Sequence, residues 1–282
     1  MTTNALDAYR AFTLDIAEQI APTWERRRAD IEEVATPVRE WMIRELAPKT
    51  GETVLELAAG VGDTGFEAAT LVGESGQLIC SDVSPAMLAA ARRRGSELGL
   101  TNDHYRVLDA EHVDLETGTI DGVLCRFGYM LLADPAAGFA ETRRVLRPQG
   151  RVALAVWGSP ERNPFFTAAM MVLVQQGHLN PPEAAGPGPF ALADPERLAT
   201  LLEGAGFGGV RTEELTGHFA IPSIDEYVQV IADTAGPIGL AVQALSDTAR
   251  RGVTAQCEAA LEPFVVETGY EIPCVAVCAV AT

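Results

Sequence analysis

Through the first 48 positions apolar residues recur at three- and four-residue steps, with Ile31, Val34, Val38, Trp41, Met42 and Leu46 on one stripe and Pro48 just past it. That period is helical, and no strand signal interrupts it. The pattern then changes. Thr53 to Leu57 is a short apolar strand, Thr64 to Val72 a helix closed by Gly73, and Leu78 to Ser81 a second strand. Ser84 followed by Pro85 supplies an N-cap and a proline at the first helical position, ahead of Met87, Leu88 and Ala91. Strand signals follow at Tyr105 to Leu108 and Gly122 to Cys125. A helix from Asp134 to Leu146 opens on an acid and a proline, and a strand from Arg151 to Trp157 follows a turn over Arg147, Pro148, Gln149 and Gly150. This alternation predicts a doubly wound, Rossmann-like α/β architecture, a parallel sheet covered by helices on both faces.

From Gly158 to Phe190 the alternation lapses among Pro160, Pro164, Pro181, Pro182, Pro187 and Pro189, around a helix predicted for Phe165 to Gln176. It resumes with a helix from Pro195 to Leu202 and a strand from Val210 to Leu215. It lapses again into a helical insert between Ser223 and Phe264, and ends in a strand from Cys274 to Val280. The expected organisation is one domain over residues 1–282: an N-terminal helical lid at 1–48, a cofactor-binding core at 49–157, and cap inserts at 158–190 and 223–264. Residues 191–222 and 265–282 then complete the sheet.

Composition narrows the function. Hydrophobic residues make up 48% of the 282-residue chain and charged ones 21%, which excludes disorder as the main state. Lys and Arg total 21 against 39 Asp and Glu, a net charge of −18, so nucleic-acid and anionic membrane partners are disfavoured. The run Arg26, Arg27, Arg28 is read as a solvated helix face. Cys80, Cys125, Cys257, Cys274 and Cys278 form no CxxC or other metal-ligand spacing and lie mostly in apolar runs, which fits a reduced, cytoplasmic setting. The opening MTTNALDAYR lacks the basic patch and apolar core of a signal peptide. No apolar run approaches the ~18 residues of a membrane span, so neither export nor membrane insertion is expected.

In an open α/β sheet ligands bind beyond the carboxyl ends of the strands. After the first strand comes Glu56-Leu57-Ala58-Ala59-Gly60-Val61-Gly62-Asp63-Thr64-Gly65, where glycines allow a tight turn and close approach of a ligand. Asp82 follows the second strand, 26 positions beyond Glu56, and Asp109-Ala110-Glu111 follows the third, 27 positions beyond Asp82. Glu56 stands where an ammonium or a positioned water is held, Asp82 where a carboxylate accepts from a ribose diol, and Asp109 where one accepts from an adenine amino group. Together they suit an adenosyl group with cationic parts and no phosphate. No lysine follows Lys49, which excludes a P-loop there. Gly60-x-Gly62-x-x-Gly65 also satisfies the dinucleotide fingerprint, so an NAD(P)-dependent oxidoreductase is the rival reading. Against it, four residues from Glu56 to Ala59 precede the first glycine and set an acid where a pyrophosphate would be repelled.

In this order and spacing, Val54 to Gly65, Cys80 to Leu88, Leu108 to Glu111, Asp121 to Met130 and Leu146 to Trp157 resemble a class I S-adenosylmethionine-dependent methyltransferase. The group is that of the ubiquinone and menaquinone C-methyltransferases. The resemblance implies a seven-stranded sheet, mostly parallel, with an antiparallel last strand. It implies S-adenosylmethionine as cofactor, with contacts at Glu56, Gly60, Gly62, Asp82, Val83, Met87, Asp109, Ala110 and Arg126, and S-adenosylhomocysteine as product. Ala58, Thr64, Glu111 and Phe127 are further candidates from the same stretches. Trp24 is either an aromatic closing over the cofactor or a core residue. Two positions depart from the family: Ala58 stands where glycine is commoner, near the methionine carboxylate, and Gln149 replaces a turn glycine.

The expected reaction is methyl transfer by in-line displacement at the sulfonium to a small organic acceptor. A sulfonium methyl is already activated, so base catalysis is optional. The candidates for acceptor contact or base are His178, Tyr129 and His218, with Met170 and Met171 either lining a greasy pocket or packing a helix. A non-catalytic S-adenosylmethionine-binding protein and homodimer formation both stay open at this point.

Overall fold

The computed structural model describes residues 3–181 and 186–282. Positions 1–2 of the expected lid and 182–185 of the first expected insert, Pro182 among them, lie outside the described residues. The N-terminal period forms two helices, α1 (Thr3–Arg26) and α2 (Arg28–Leu46), parted at Arg27. Then come β1 (Thr53–Glu56), α3 (Asp63–Val72), β2 (Gln77–Asp82), α4 (Pro85–Glu97), β3 (Asp103–Val107), β4 (Ile120–Arg126), α5 (Pro135–Val145) and β5 (Leu146–Trp157). The remainder is α6 (Pro164–Gln175), α7 (Pro195–Gly204), β6 (Arg211–Ile221), α8 (Ile224–Thr234), α9 (Gly236–Gln243), α10 (Asp247–Leu261), β7 (Val265–Val266) and β8 (Gly269–Ala281).

The sheet order is β3-β2-β1-β4-β5-β8-β6, with β7 paired to β8. The pairs from β3 to β5 are parallel, and β8 runs antiparallel to both β5 and β6. The expected mostly parallel sheet with an antiparallel last strand is present, and the two-residue β7 adds only a short hairpin. Glu56 is in register with Cys80 of β2 and Leu124 of β4, so β2 and β4 each run two residues beyond the end of β1. Alternation of side chains about the strands splits the core. Trp41 and Met42 of α2, Phe66 of α3 and Leu88 of α4 cover one face, and Phe139 of α5 with Leu198 and Leu202 of α7 cover the other.

The helix starts follow local chemistry. Ser84 accepts from Met87 N at 3.1 Å, Asp134 from Ala136 N and Ala137 N at 3.1 and 3.2 Å, and Asp194 from Glu196 N at 2.9 Å, each ahead of a proline at the first turn. These side chains satisfy amide donors that the helix itself leaves free.

Several expectations need correction. The turn expected at residues 147–150 is absorbed into β5, because Leu146 already pairs with Ile120; Gln149 takes up the irregularity with φ 68°. The strands β6 and β8 are longer than their apolar centres, since their outer halves pair from Thr216 to Ile221 against Val275 to Tyr270. The basic run is not a plain solvated face. Arg26 is exposed, but Arg27 bonds Glu226 at 2.5 Å and Asp233 at 3.0 Å, and Arg28 bonds Asp63 at 3.1 Å.

The two inserts also meet. Phe165 and Leu173 of α6 share a core with Tyr227 and Ile231 of α8, Ile238 of α9 and Val253 and Cys257 of α10. The Tyr227 hydroxyl donates to Phe165 O at 2.7 Å and accepts from Ala169 N at 3.1 Å. Among the described residues no helix is long and apolar enough to cross a membrane.

Candidate functional site

The three predicted carboxylates come together at the carboxyl ends of β1, β2 and β3. Beyond Glu56 the chain turns sharply: Ala58, Gly60 and Gly62 have φ of 50°, 55° and 94°. The loop is tied to the next strand, with Ala59 N donating to Ser81 O and Gly60 N to Asp82 Oδ2, both at 2.9 Å. Glu56 is buried, and its Oε1 accepts from Gly65 N at 3.0 Å at the start of α3. Gly65 is a glycine for that reason: a β-carbon there would overlap the Glu56 carboxylate and lie 3.0 Å from Leu78 Cδ1. The third glycine of the fingerprint thus seats an acid, the opposite of what a pyrophosphate requires.

Asp82 is also buried; its Oδ1 accepts from Ser84 N at 2.9 Å. Burial raises its pKa, opposed by the amides of Ser84, Gly60 and Val83. Burial pushes the Glu56 carboxyl well above the usual carboxylate range, and the Arg126 charge and the Gly65 amide act against that. Asp109 accepts from Glu111 N at 2.8 Å and is half-exposed, so it stands at the open end of the row. Glu111 is buried and fully engaged, taking Ala133 N at 2.8 Å on one oxygen and Arg10 Nη2 at 2.6 Å on the other.

The helix α1 lies over this rim. Its Ile16, Ile20 and Ala21 pack on Val61, Met87 and Ala90. Glu18 Oε1 accepts from Ser84 Oγ at 2.6 Å and from Ala86 N at 3.1 Å. Trp24 donates from Nε1 to Thr234 O at 3.0 Å, which fastens α1 to α8. Arg10 and Glu18 carry no sequence signal, because their partners Glu111 and Ser84 lie 101 and 66 positions away. Val83, partly exposed, follows Asp82 directly, and Ala110 is buried beside Asp109.

The remaining candidates are spread out. Phe127, with φ 59°, stacks on Trp157 at 4.1 Å between ring centroids, and Trp157 meets Phe166 of α6 at 5.0 Å. These rings stand at the tips of β4 and β5. Tyr129 is wholly buried, with its hydroxyl 2.5 Å from Thr142 Oγ1 and its ring on Phe139. His178 and His218 are both exposed, the latter on the outer strand β6. Met170 is buried and Met171 exposed, so they do not line one surface.

The residues fit a zwitterionic adenosyl cofactor on one physical ground. Among the described residues six side-chain polar atoms are buried without a hydrogen-bond partner: four of them, Glu56 Oε2, Thr64 Oγ1, Asp63 Oδ2 and Arg126 Nη1, stand at or beside the β1–α3 loop, and the other two, Arg39 Nε and Arg94 Nε, are on the flanking helices α2 and α4. Unpaired buried polar atoms cost about 1–3 kcal/mol each, and more when charged, so their concentration in one place marks a site that a polar ligand completes.

A family model described as a methyltransferase domain matches residues 54–150. The chain is 30% identical over 204 residues to the demethylmenaquinone methyltransferase of Thermus thermophilus, covering 68% of this chain and 84% of that one. It is 28% identical to the aklanonic acid methyltransferase of a Streptomyces strain, over 72% of this chain and 95% of the relative. For other demethylmenaquinone methyltransferases the chain spans about three fifths of their length. Among solved structures a putative methyltransferase from Bacillus halodurans superposes with a TM-score of 0.57 at 18% identity, over 86% of this chain and 97% of the other.

Proposed function

The chain belongs to the S-adenosylmethionine-dependent methyltransferases, and from that premise we propose that its acceptor is a small, flat, largely apolar organic molecule. In this reading Asp82 takes the ribose diol, Asp109 and Ala110 the adenine edge, and Glu56 with the loop through Gly60 and Gly62 the methionine end. Val61 and Met87, under α1, enclose the nucleoside and exclude water.

When bound, S-adenosylmethionine supplies a sulfonium-activated methyl group. The acceptor gains that methyl, its proton goes to solvent or a nearby base, and S-adenosylhomocysteine leaves. The chain's part is to hold the acceptor nucleophile in line at about 3 Å in a dry crevice, which removes entropic and solvation barriers. The exposed positions of His178 and His218 and the enclosed one of Tyr129 favour a reaction that runs on positioning.

The observation that carries the acceptor reading is the aromatic tier. Phe127 and Trp157 stack with their planes 12° apart at the tips of β4 and β5, backed by Phe166 and Phe219. Such ring faces favour stacking of another flat ring. The relatives named for demethylmenaquinone and aklanonic acid act on small organic molecules, which agrees with that class. A cytoplasmic setting is part of the same reading: all five cysteines are free and buried.

The test is a thermal-shift titration with S-adenosylhomocysteine, NAD and NADP, followed by mass spectrometry of a panel of aromatic and aliphatic acceptors. Stabilisation by S-adenosylhomocysteine alone and a gain of one CH₂ on aromatic acceptors are expected. Stabilisation by the dinucleotides, or methylation confined to aliphatic acceptors, would contradict it.

A further inference from the structure

The helix α2 carries a charged stripe. Arg28, Glu32 and Arg39 follow one another at helical spacing with the buried Ala35 between them. Arg28 bonds Asp63 at 3.1 Å, Glu32 bonds Arg126 at the end of β4, and Arg39 reaches Glu67 of α3. The first contact reaches the cofactor loop at Asp63, and the middle one reaches the strand tip at Arg126.

That contact has an unusual form for a structural ion pair. A buried arginine and a carboxylate usually meet fork to fork, with two parallel hydrogen bonds. Here Glu32 takes only Nη2 of Arg126, while its second oxygen faces Arg39 Nε at 3.2 Å. The other nitrogen, Arg126 Nη1, is buried without a partner among the described residues, and so is Glu56 Oε2. Glu56 is level with Leu124 in the parallel pair, and Arg126 lies two residues further along, so both side chains leave the sheet on the same face. Arg126 sits close enough for its charge to bear on the Glu56 carboxyl. Yet among the described residues they form no ion pair with each other.

We propose that Glu32 is a positioning residue: by holding one nitrogen of Arg126 it keeps the guanidinium off Glu56, leaving a guanidinium and a carboxyl side by side for the amino-acid end of the cofactor. The inference rests on the cofactor reading above. The free Arg126 Nη1 takes the carboxylate and the free Glu56 Oε2 takes the ammonium. Without Glu32 the guanidinium swings onto the Glu56 carboxyl and closes the subsite.

Calorimetric titration tests this with ligands that differ only at that end. S-adenosylhomocysteine carries the amino acid, and 5′-methylthioadenosine lacks it. Glu32→Gln is expected to weaken S-adenosylhomocysteine by about tenfold or more, as for loss of a charged hydrogen bond, and to leave 5′-methylthioadenosine within about twofold. The parent protein is expected to bind S-adenosylmethionine more tightly than its decarboxylated analogue, and Glu32→Gln to narrow that gap.

Equal weakening of both nucleosides would assign Glu32 a merely structural role and overturn the proposal, as would unchanged affinity for S-adenosylhomocysteine. Should Glu32→Gln fail to fold, the parent alone decides: equal affinity for S-adenosylmethionine and the decarboxylated analogue overturns it. A parent that binds neither nucleoside defeats the cofactor reading itself, a result distinct from a parent that binds both and a variant that behaves like it.

Discussion

Ala58 sits in a left-handed backbone conformation, φ 50°, which costs an L side chain roughly 1–2 kcal/mol relative to glycine. Its methyl also dictates its neighbour: a β-carbon at Gly128 would lie 2.5 Å from Ala58 Cβ and 2.6 Å from Cys125 Sγ. Ala58→Gly is therefore expected to stabilise the protein by about 1 kcal/mol, a rise in melting temperature of a few degrees. Gly128→Ala is expected to be less harmful in that background than in the parent. A lower melting temperature for Ala58→Gly would show the strain argument wrong.

Glu56 makes a second prediction, in pH. Its folded pKa is raised by burial, so the folded protein retains a proton that the unfolded chain releases above its ordinary value of about 4.3. The stability it contributes is full below that value and is lost as pH rises toward the raised folded pKa. Glu56→Gln removes the loss. The melting temperature of the ligand-free variant should gain on the parent between pH 5 and pH 8, and with S-adenosylhomocysteine present the order should reverse. A difference that stays constant with pH would contradict this.

At the scale of elements, Ser84 does two jobs: it caps α4 by accepting from Met87 N and it donates to Glu18 of α1. Ser84→Ala is expected to cost about 1 kcal/mol through the lost cap. It should also speed amide exchange in α1 more than in α2, as measured by hydrogen–deuterium exchange; equal effects on both helices would mean the Glu18 contact holds nothing.

The sequence showed the first of these jobs and not the second. Caps such as Ser84-Pro85, Asp134-Pro135 and Asp194-Pro195 act within three residues, and strand tips carry their acids in fixed order, so both could be read along the chain. The contacts of Arg10, Glu18, Glu32 and Arg27 span 66 to 206 positions and leave no local mark. For the same reason the two inserts looked separate. Phe165 and Tyr227, 62 positions apart, meet only because α6 and α8 share a core. The outer half of β6 carries no strand signal in the sequence, because from Thr216 to Ala220 exposed and half-buried positions alternate without an apolar run.

At the scale of the molecule, the rim formed by the ends of β1, β2 and β3 gathers a row of acids, Glu56 and Asp82 buried and Asp109 half-exposed, under a helix. The chain's net charge of −18 gives that rim a field suited to a cationic ligand and hostile to polyphosphate. The α1 helix closes the row by apolar packing on Val61 and Met87 and by polar contacts of Arg10 with Glu111 and of Glu18 with Ser84 and Ala86. The central claim is that Asp82, at the middle of the row, carries the nucleoside.

A crystal structure of the protein with S-adenosylhomocysteine tests this most directly. The ribose hydroxyls are expected within hydrogen-bond distance of the Asp82 carboxylate, with the adenine edge against Asp109 and Ala110. A nucleoside bound away from the ends of β1, β2 and β3, or one whose ribose leaves Asp82 untouched, would contradict the account.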